Sequence, residues 1–135
     1  MIFNSISDKL EEEVLLNFAK IYKDYGELLL RQYKNIKKRE RNFSNCGFFI
    51  NYTVDIDKCE SIPEDFVLGQ IFGKLNNESV NVGFLLFIRN GYISMLECFE
   101  CGAVDIRFPE IINDYYIYKM DLDKDGGYYN PVRLS

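Results

Sequence analysis

Histidine is absent from this 135-residue sequence. Its absence excludes Ser-His-Asp, Cys-His and histidine acid–base mechanisms, and with them most zinc catalysis. The phosphate-binding and nucleophile motifs GxxxxGK[ST], GxGxxG and GxSxG are absent as well. The sequence therefore predicts a protein that is not an enzyme and that carries no cofactor and no metal.

Long apolar runs are also missing. No stretch reaches the ~20 apolar residues that a membrane helix needs, and the segment MIFNSISDKLEEE lacks the basic start and apolar core of a signal peptide. We therefore expect a cytoplasmic protein with no membrane partner. Because disulfides are rare in that compartment, the four cysteines are expected to be reduced thiols: Cys46, Cys59, Cys98 and Cys101.

Apolar residues make up 47% of the chain, aromatic residues 16% and charged residues 27%. This balance is typical of a packed globular chain, and 135 residues is the length of one domain. The sequence predicts a single domain spanning residues 1–135. We expect it to be a monomer or a weak dimer.

The charge is unevenly distributed along the chain. The formal net charge is −5, yet residues 1–41 hold nine basic and seven acidic side chains, whereas residues 42–135 hold seven basic and fourteen acidic ones. An acidic surface repels nucleic acid and favours a basic partner, mainly through the rate and orientation of association. The charge pattern therefore indicates a basic protein partner and no nucleic acid.

Two helices are predicted in the N-terminal third. Asp8 and Glu11 have capping-box spacing, and the apolar residues that follow recur every three or four positions over four or five turns. Gly26 is predicted to end this helix by taking the left-handed conformation. A second, shorter helix is expected from Glu27 to about Asn35.

The pattern changes to the two-residue period of strands after Asn45. Apolar residues alternate from Phe48 to Val54 and again from Val67 to Leu75, and the aromatic segment from Tyr115 to Lys119 is a further candidate strand. These elements predict an α+β fold, with N-terminal helices packed on an antiparallel β-sheet meander of about five strands.

Asn90 and Gly91 join two apolar runs and predict a type I′ hairpin turn, because both residues tolerate positive φ. One face of the resulting hairpin would be apolar except for a single glutamate. The register that the turn implies pairs Ile88 with Ile93, Leu86 with Met95, Phe84 with Glu97 and Val82 with Phe99.

Glu97 is the charged side chain on the apolar face of that predicted hairpin. A lone buried carboxylate is costly, so we expect a structural buried ion pair with a basic residue such as Arg39 or Arg41. A catalytic role for Glu97, in a small histidine-free enzyme, is the alternative.

Two short motifs are similar to metal sites. The segment Cys98-Phe-Glu-Cys101 has the C-x-x-C spacing of zinc sites and redox centres. Residues three apart on a strand point to opposite faces, however, which suits neither kind of site. The segment Asp121-Leu-Asp-Lys-Asp-Gly126 begins like a calcium loop, yet Val132 stands where that loop needs a bidentate glutamate. We interpret them as a strand and a solvated acidic turn, with four-cysteine zinc binding and calcium binding as the alternatives.

A basic run lies between Lys34 and Arg41, with five basic residues and one glutamate. Such a run is most often solvated, on a helix end or on a strand. The alternative is an anion-binding patch for RNA or DNA in a nucleic-acid-binding accessory domain, which the acidic remainder of the chain disfavours.

Several segments together follow one pattern: a leucine-glutamine helix, a strand that leads into a GFF strand, and a GFLLFI strand followed by a [DN]GY turn. The pattern spans about residues 27–118. It is carried here by Leu29-Leu-Arg-Gln32, by Arg39-Glu-Arg-Asn-Phe43 with Cys46-Gly-Phe-Phe-Ile50, and by Val82-Gly-Phe-Leu-Leu-Phe-Ile88 with Asn90-Gly-Tyr-Ile-Ser-Met-Leu-Glu97.

In these segments the chain resembles small bacterial immunity proteins, the partners of polymorphic or contact-dependent growth-inhibition toxins. The resemblance implies a protein that binds one cognate toxin domain, with a nuclease among the candidates, and neutralises it without chemistry of its own. The chain departs from the pattern at Cys101-Gly102 and Phe108-Pro109, where related sequences have tyrosine-glycine and tryptophan-proline. Divergence in that loop would suit recognition of a specific partner.

The acidic C-terminal loops are the place where we expect the toxin to bind. Their carboxylates would meet the basic, substrate-binding face of a nuclease. The predicted partner-binding residues are Glu100, Asp105, Glu110, Asp114, Asp121 and Asp123.

Overall fold

The structure is a computed structural model that describes residues 1–102 and 107–134. Within these residues, two helices come first in the chain and seven strands follow. Their bounds are α1 Ser5–Ile21, α2 Gly26–Lys34, β1 Ile36–Ser44, β2 Gly47–Val54, β3 Phe66–Leu75, β4 Val80–Arg89, β5 Tyr92–Glu100, β6 Tyr115–Leu122 and β7 Tyr128–Arg133.

Helix α1 begins one turn earlier than the sequence predicted. Its N-cap is Asn4, whose side-chain oxygen accepts from the Ser7 N–H at 2.9 Å, while the Ser7 hydroxyl accepts from the Asn4 N–H at 2.7 Å. Asp8 lies inside the first turn, where its charge suits the positive end of the helix dipole. The capping prediction at Asp8 is wrong because Asn4 and Ser7 already form a reciprocal cap.

Helix α2 begins at Gly26 itself. A Cβ at this position would collide with the carbonyl oxygen of Ala19 in α1, so the missing side chain lets the two helix backbones touch. Gly26 therefore serves close helix packing, and the predicted left-handed helix stop at this residue is wrong.

The strands of the described residues form one antiparallel sheet in the order β1-β2-β5-β4-β3-β6-β7. A β3–β4–β5 meander lies at its centre, with the β1–β2 hairpin on one side and the β6–β7 hairpin on the other. The α+β class, with helices beside an antiparallel sheet, is confirmed, but the count of about five strands is wrong. The predicted meander is also wrong beyond β3–β4–β5, because β2 pairs with β5 and β6 pairs with β3. Apolar periodicity did not predict the edges β1 and β7, because both are exposed along almost their whole length and lack apolar alternation. Strand β1 includes residues 39–43, where the resemblance implied a strand that leads into the GFF strand.

The β4–β5 turn forms as predicted, but the register changes at a bulge. Asn90 and Gly91 have φ angles of 55° and 82°, and Ile88 pairs with Ile93. Ser94 is then an extra residue on β5. The three predicted pairs beyond it are wrong by one position, since Phe87 pairs with Met95, Leu86 with Leu96, Leu85 with Glu97, Phe84 with Cys98 and Gly83 with Phe99.

The bulge decides which face of the sheet each β5 side chain occupies. Leu96 and Cys98 lie on the same face as Phe84 and are buried, whereas Glu97 lies on the opposite face and is partly exposed. A regular ladder from the turn would have placed Glu97 among the core side chains. The extra residue therefore keeps a carboxylate out of the core.

The core lies between the two helices and one face of the sheet. Leu10, Val14 and Phe18 of α1 and Leu29 of α2 are at most 1% exposed. Removing this apolar surface from water is the main favourable term in folding. The buried side chains of the sheet are Phe48, Ile50, Tyr52, Val54, Leu68, Ile71, Leu75, Val80, Val82, Phe84, Leu86, Ile88, Ile93, Leu96, Cys98 and Ile117.

A buried amide joins α2 to the β4–β5 turn. Gln32 is 0% exposed, its Nε2 donates to the carbonyls of Glu60 and Gly91 at 2.9 Å each, and its Oε1 accepts from the Ile93 N–H at 2.9 Å. The hydrogen-bonding capacity of the buried side chain is thus largely used.

Within the described residues, neither helix combines the length and the apolar character needed to cross a membrane.

Candidate functional site

The face of the sheet that points away from both helices carries partly exposed apolar and aromatic side chains, and we call it the open face. Side chains at alternate positions on the inner strands form it, and neither described helix packs on it. Its members are Phe49 on β2, Met95, Glu97 and Phe99 on β5, Leu85 and Phe87 on β4, Phe72 on β3, and Tyr116, Tyr118 and Met120 on β6.

An aromatic strip crosses the open face. Phe99, Gly83, Phe72 and Tyr118 lie in one line across four neighbouring strands. The Phe99 ring covers Gly83, where an added Cβ would come within 2.5 Å of the ring. The Phe72 and Tyr118 rings stack with their centroids 5.8 Å apart, and Tyr128 of β7 meets Phe72 edge-on at 4.9 Å. The strip is therefore a packed surface with a fixed shape.

A groove of about 490 Å³ continues the open face towards the β7 edge. The Arg133 guanidinium lies over the Tyr116 ring there, 4.4 Å from its centroid. Aromatic residues, methionine and arginine are the types enriched where proteins bind one another. The groove is lined by Lys74, Tyr116, Tyr118, Met120, Pro131 and Arg133.

Glu97 lies near the middle of the open face. It pairs with Phe49 on one neighbouring strand and with Leu85 on the other, so apolar side chains flank it on both sides. The predicted buried ion pair of Glu97 with Arg39 is wrong, because the bulge at Ser94 turns Glu97 to the face opposite Arg39. Glu97 is instead partly exposed.

A different glutamate, Glu11 on α1, is the one that Arg39 binds. The Glu11 side chain is 3% exposed and forms ion pairs with Arg39 Nε at 3.1 Å and Arg41 Nη2 at 3.3 Å. The hydroxyls of Tyr52 and Tyr33 donate to it at 2.9 and 3.1 Å. This cluster joins α1 to α2 and to the β1–β2 hairpin, which is a structural role.

Burial and the charge of Glu11 decide how the side chains of this cluster titrate. Burial, followed by the negative charge of Glu11, raises the pKa of Tyr33 from 10.0 to about 12. The same two causes raise the pKa of Tyr52 well above 10.0. Burial lowers the pKa of Arg39, but its hydrogen bond to Glu11 and the charge of Glu11 outweigh that effect and raise it. At neutral pH both tyrosines are hydrogen-bond donors and the arginine is charged.

The sequence contained a signal for a buried Glu11 besides its capping-box spacing. Glu11, Leu15 and Phe18 follow the four- and three-residue spacing of one helix face, which places the carboxylate beside the buried stripe. A glutamate on such a stripe predicts a cationic partner.

The basic run from Lys34 to Arg41 forms the end of α2 and the edge strand β1. Arg39 and Arg41 bind Glu11 on the helix side of the sheet, and Lys38 pairs with Glu40 at 3.0 Å. Intramolecular pairs thus neutralise much of the run, which leaves less charge for nucleic acid than the sequence suggested. Charged side chains on an edge strand also discourage pairing with another sheet.

The predicted partner-binding carboxylates do not form one surface. Glu100, Glu110 and Asp114 lie at the end of the sheet where β5 ends and β6 begins. Asp121 and Asp123 lie at the opposite end, in the β6–β7 hairpin. Sequence proximity suggested one acidic surface, but β6 carries the chain across the length of the sheet between the two groups.

Some of these carboxylates have partners within the chain. Asp114 Oδ1 accepts from the Asn77 N–H at 2.8 Å, and Asp121 pairs with Lys119 Nζ at 3.5 Å. Asp105 falls outside the residues that the structure describes. The role of all six in partner binding stays a prediction.

The Asp121–Gly126 segment is a hairpin end closed by its own hydrogen bonds. Asp123 Oδ1 accepts from the N–H groups of Asp125 and Gly127 at 2.9 and 2.7 Å. Among residues 1–102 and 107–134, no group of three or more metal-ligating side chains comes together. The geometry is that of a turn stabilised by an aspartate side chain.

The four cysteines are free thiols. Burial raises the pKa of Cys98 well above 9.0, and burial followed by a neighbouring carboxylate raises the pKa of Cys59 and Cys101. A cysteine that attacks a substrate or binds a metal needs a lowered pKa. The Cys98–Cys101 segment begins on β5 and ends just beyond it, so it is a strand end.

Comparisons of this chain with protein-family models, with curated proteins and with solved structures give no match. The resemblance to immunity proteins therefore stays a prediction.

Proposed function

We propose that this chain is an immunity-type inhibitor, which binds the toxic domain of another protein and neutralises it by covering its active site or substrate-binding face. The observation that carries the proposal is the open face. A continuous strip of partly exposed aromatic side chains on a packed sheet is the kind of surface that a protein partner covers. Such a surface inhibits by shape and charge, and it needs no chemistry of its own.

The net charge favours a basic partner. The chain carries a formal charge of −5, which speeds the approach of a positively charged domain and orients it. A nuclease is the toxin that we propose first, because the face that holds a nucleic-acid backbone has to be basic. The bacterial cytoplasm is the compartment in which we propose that the two proteins meet.

The states of the thiols and of the buried carboxylate support a binding function rather than an enzymatic one. The pKa shifts of Cys59, Cys98 and Cys101 run opposite to the shift that activates a thiol. The carboxylate of Glu11 is buried and held by two arginines and two tyrosines, so it joins elements of the fold and does not face a substrate.

Binding to the toxic domain encoded by the neighbouring gene is the direct test. The purified chain is expected to bind that domain and to protect cells that express it. Met95→Arg places a positive charge on the open face, so we expect binding to a basic toxin to weaken at least tenfold and protection to be lost, as measured by isothermal titration and by survival.

Ile56→Arg is the matched control. Ile56 lies in the loop after β2, away from the open face, and is 59% exposed, so the same new charge should leave binding within twofold. Equal loss in both variants, or no loss in Met95→Arg, would show that the open face is not the interface. No binding by the unmodified chain would reject the proposed function itself.

A further inference from the structure

Glu97 differs from its surroundings on the open face. Phe49 and Leu85 pair with it from both neighbouring strands, and Met95 and Phe99 lie two residues before and after it on the same face of β5. All five side chains are partly exposed. A carboxylate thus lies in the middle of an otherwise apolar part of the face.

No hydrogen bond or ion pair to the Glu97 carboxylate forms within the described residues, and two cations of the sheet, Lys38 and Arg89, have other partners. Lys38 pairs with Glu40 at 3.0 Å. Arg89 lies over the Phe87 ring, 4.9 Å from its centroid. Arg39 and Arg41, the residues expected to bind Glu97, are on the opposite face with Glu11.

Glu11 shows how this chain satisfies a buried carboxylate from within. Two guanidinium groups and two tyrosine hydroxyls surround it. Glu97 has none of these, although apolar neighbours make an unpaired carboxylate costly once water is removed. A protein that covered the open face without a cation would bury the Glu97 charge unpaired.

We infer that the open face binds a protein that presents an arginine, and that this arginine meets Glu97. The inference rests on the proposed function and specifies the chemistry of the partner. A carboxylate in an apolar, desolvated contact forms a strong, charge-assisted hydrogen bond with an incoming cation. The apolar neighbours would exclude water around that pair, as they do around interface hot spots.

Arginine fits this place better than lysine for three reasons. Its planar guanidinium forms two parallel hydrogen bonds to one carboxylate, it is more weakly hydrated than an ammonium group, and it stacks on aromatic rings. Phe49 and Phe99 flank Glu97 and offer such rings. A lysine would supply the charge but not the fork or the stacking.

Titration with short peptides tests the arginine site without any toxin. The probe is acetyl-Leu-Arg-Leu-amide, with the lysine peptide and the neutral citrulline peptide as comparisons, and the readout is the methyl and side-chain NMR shifts of the chain. We expect saturable shifts at Leu85 and Met95, with the arginine peptide binding at least fivefold more tightly than the lysine peptide and no saturation with citrulline.

Glu97→Gln should weaken binding of the arginine peptide at least tenfold, because it removes the charge and keeps the shape. Glu60→Gln, which neutralises an exposed carboxylate in the loop between β2 and β3, should change nothing. Equal binding of the arginine and citrulline peptides, or equal binding by Glu97→Gln and the unmodified chain, would overturn the inference. So would shifts centred away from Leu85 and Met95.

The same variant in the toxin assay separates this inference from the proposed function. If the toxic domain binds the unmodified chain and Glu97→Gln equally well, the arginine site is wrong and the inhibitor function stands. If the domain does not bind at all while the peptides behave as expected, the inhibitor function is wrong and the arginine site stands. Tight binding that Glu97→Gln weakens at least tenfold supports both.

Discussion

Two glutamates in this chain have different environments, and we assign different roles to them. Glu11 is buried on α1 and is surrounded by four donors, which stabilise its charge and join four elements. Glu97 is partly exposed on the open face and has apolar neighbours. We assign Glu11 to stability and Glu97 to recognition, and substitutions at the two positions should separate these roles.

Glu11→Gln should destabilise the fold. The substitution keeps the shape but leaves Arg39 and Arg41 without their shared carboxylate, and we expect a loss of about 2–3 kcal/mol in the free energy of unfolding, because both arginines are only partly buried and water screens part of the effect. Urea denaturation measures it.

Glu12→Gln is the neighbouring control. Glu12 is exposed on the same helix, so its substitution should stay within about 0.5 kcal/mol. If Glu11→Gln were as mild as Glu12→Gln, the cluster around Glu11 would not be a structural centre.

At the scale of elements, close contacts between neighbouring helices and strands explain two glycines that helix and strand propensities do not. Gly26 lies in a helix, where glycine is a poor residue, because α1 and α2 touch at Ala19. Gly83 lies in a central strand because the Phe99 ring occupies the space above it. In both cases glycine is unfavourable in its own helix or strand, and a close contact with a neighbouring element explains its presence.

Gly26→Ala separates helix preference from the close contact with Ala19, because the two predict changes in stability of opposite sign. Helix preference alone predicts a gain of about 1 kcal/mol in stability, whereas the contact with Ala19 predicts a loss of about 1–3 kcal/mol from overpacking. We expect the loss, measured by thermal and urea unfolding. Glu27→Ala, one residue further along and exposed, should change stability little. A stabilised Gly26→Ala variant would contradict the close helix contact.

Inner elements could be predicted from the sequence because they carry the apolar periodicity that burial demands. The Asn90-Gly91 turn was predictable for a stereochemical reason, since both residues accept positive φ. The edge strands could not be predicted from apolar periodicity, because an exposed strand has no apolar face, and β1 was indicated only through the resemblance to immunity proteins. The bulge at Ser94 was not predictable either, since nothing in the local sequence distinguishes it, and missing it placed Glu97 on the wrong face.

At the scale of the whole molecule, the two faces of the sheet have different roles. The face under α1 and α2 holds the core and the Glu11 cluster, and we propose that the open face binds the partner. The site could not be derived from charge alone, because β6 separates the acidic loops to opposite ends of the sheet. The open face emerges only when the register of all inner strands is known.

Methyl NMR of the chain in complex with the toxic domain encoded by the neighbouring gene tests the open face most directly. The methyl groups of Leu85 and Met95 report on the open face, and those of Leu16 and Leu28 report on the helix side. We predict that binding shifts or broadens the signals of Leu85 and Met95 and leaves those of Leu16 and Leu28 in place. Changes at Leu16 and Leu28 with an unchanged open face would contradict the account.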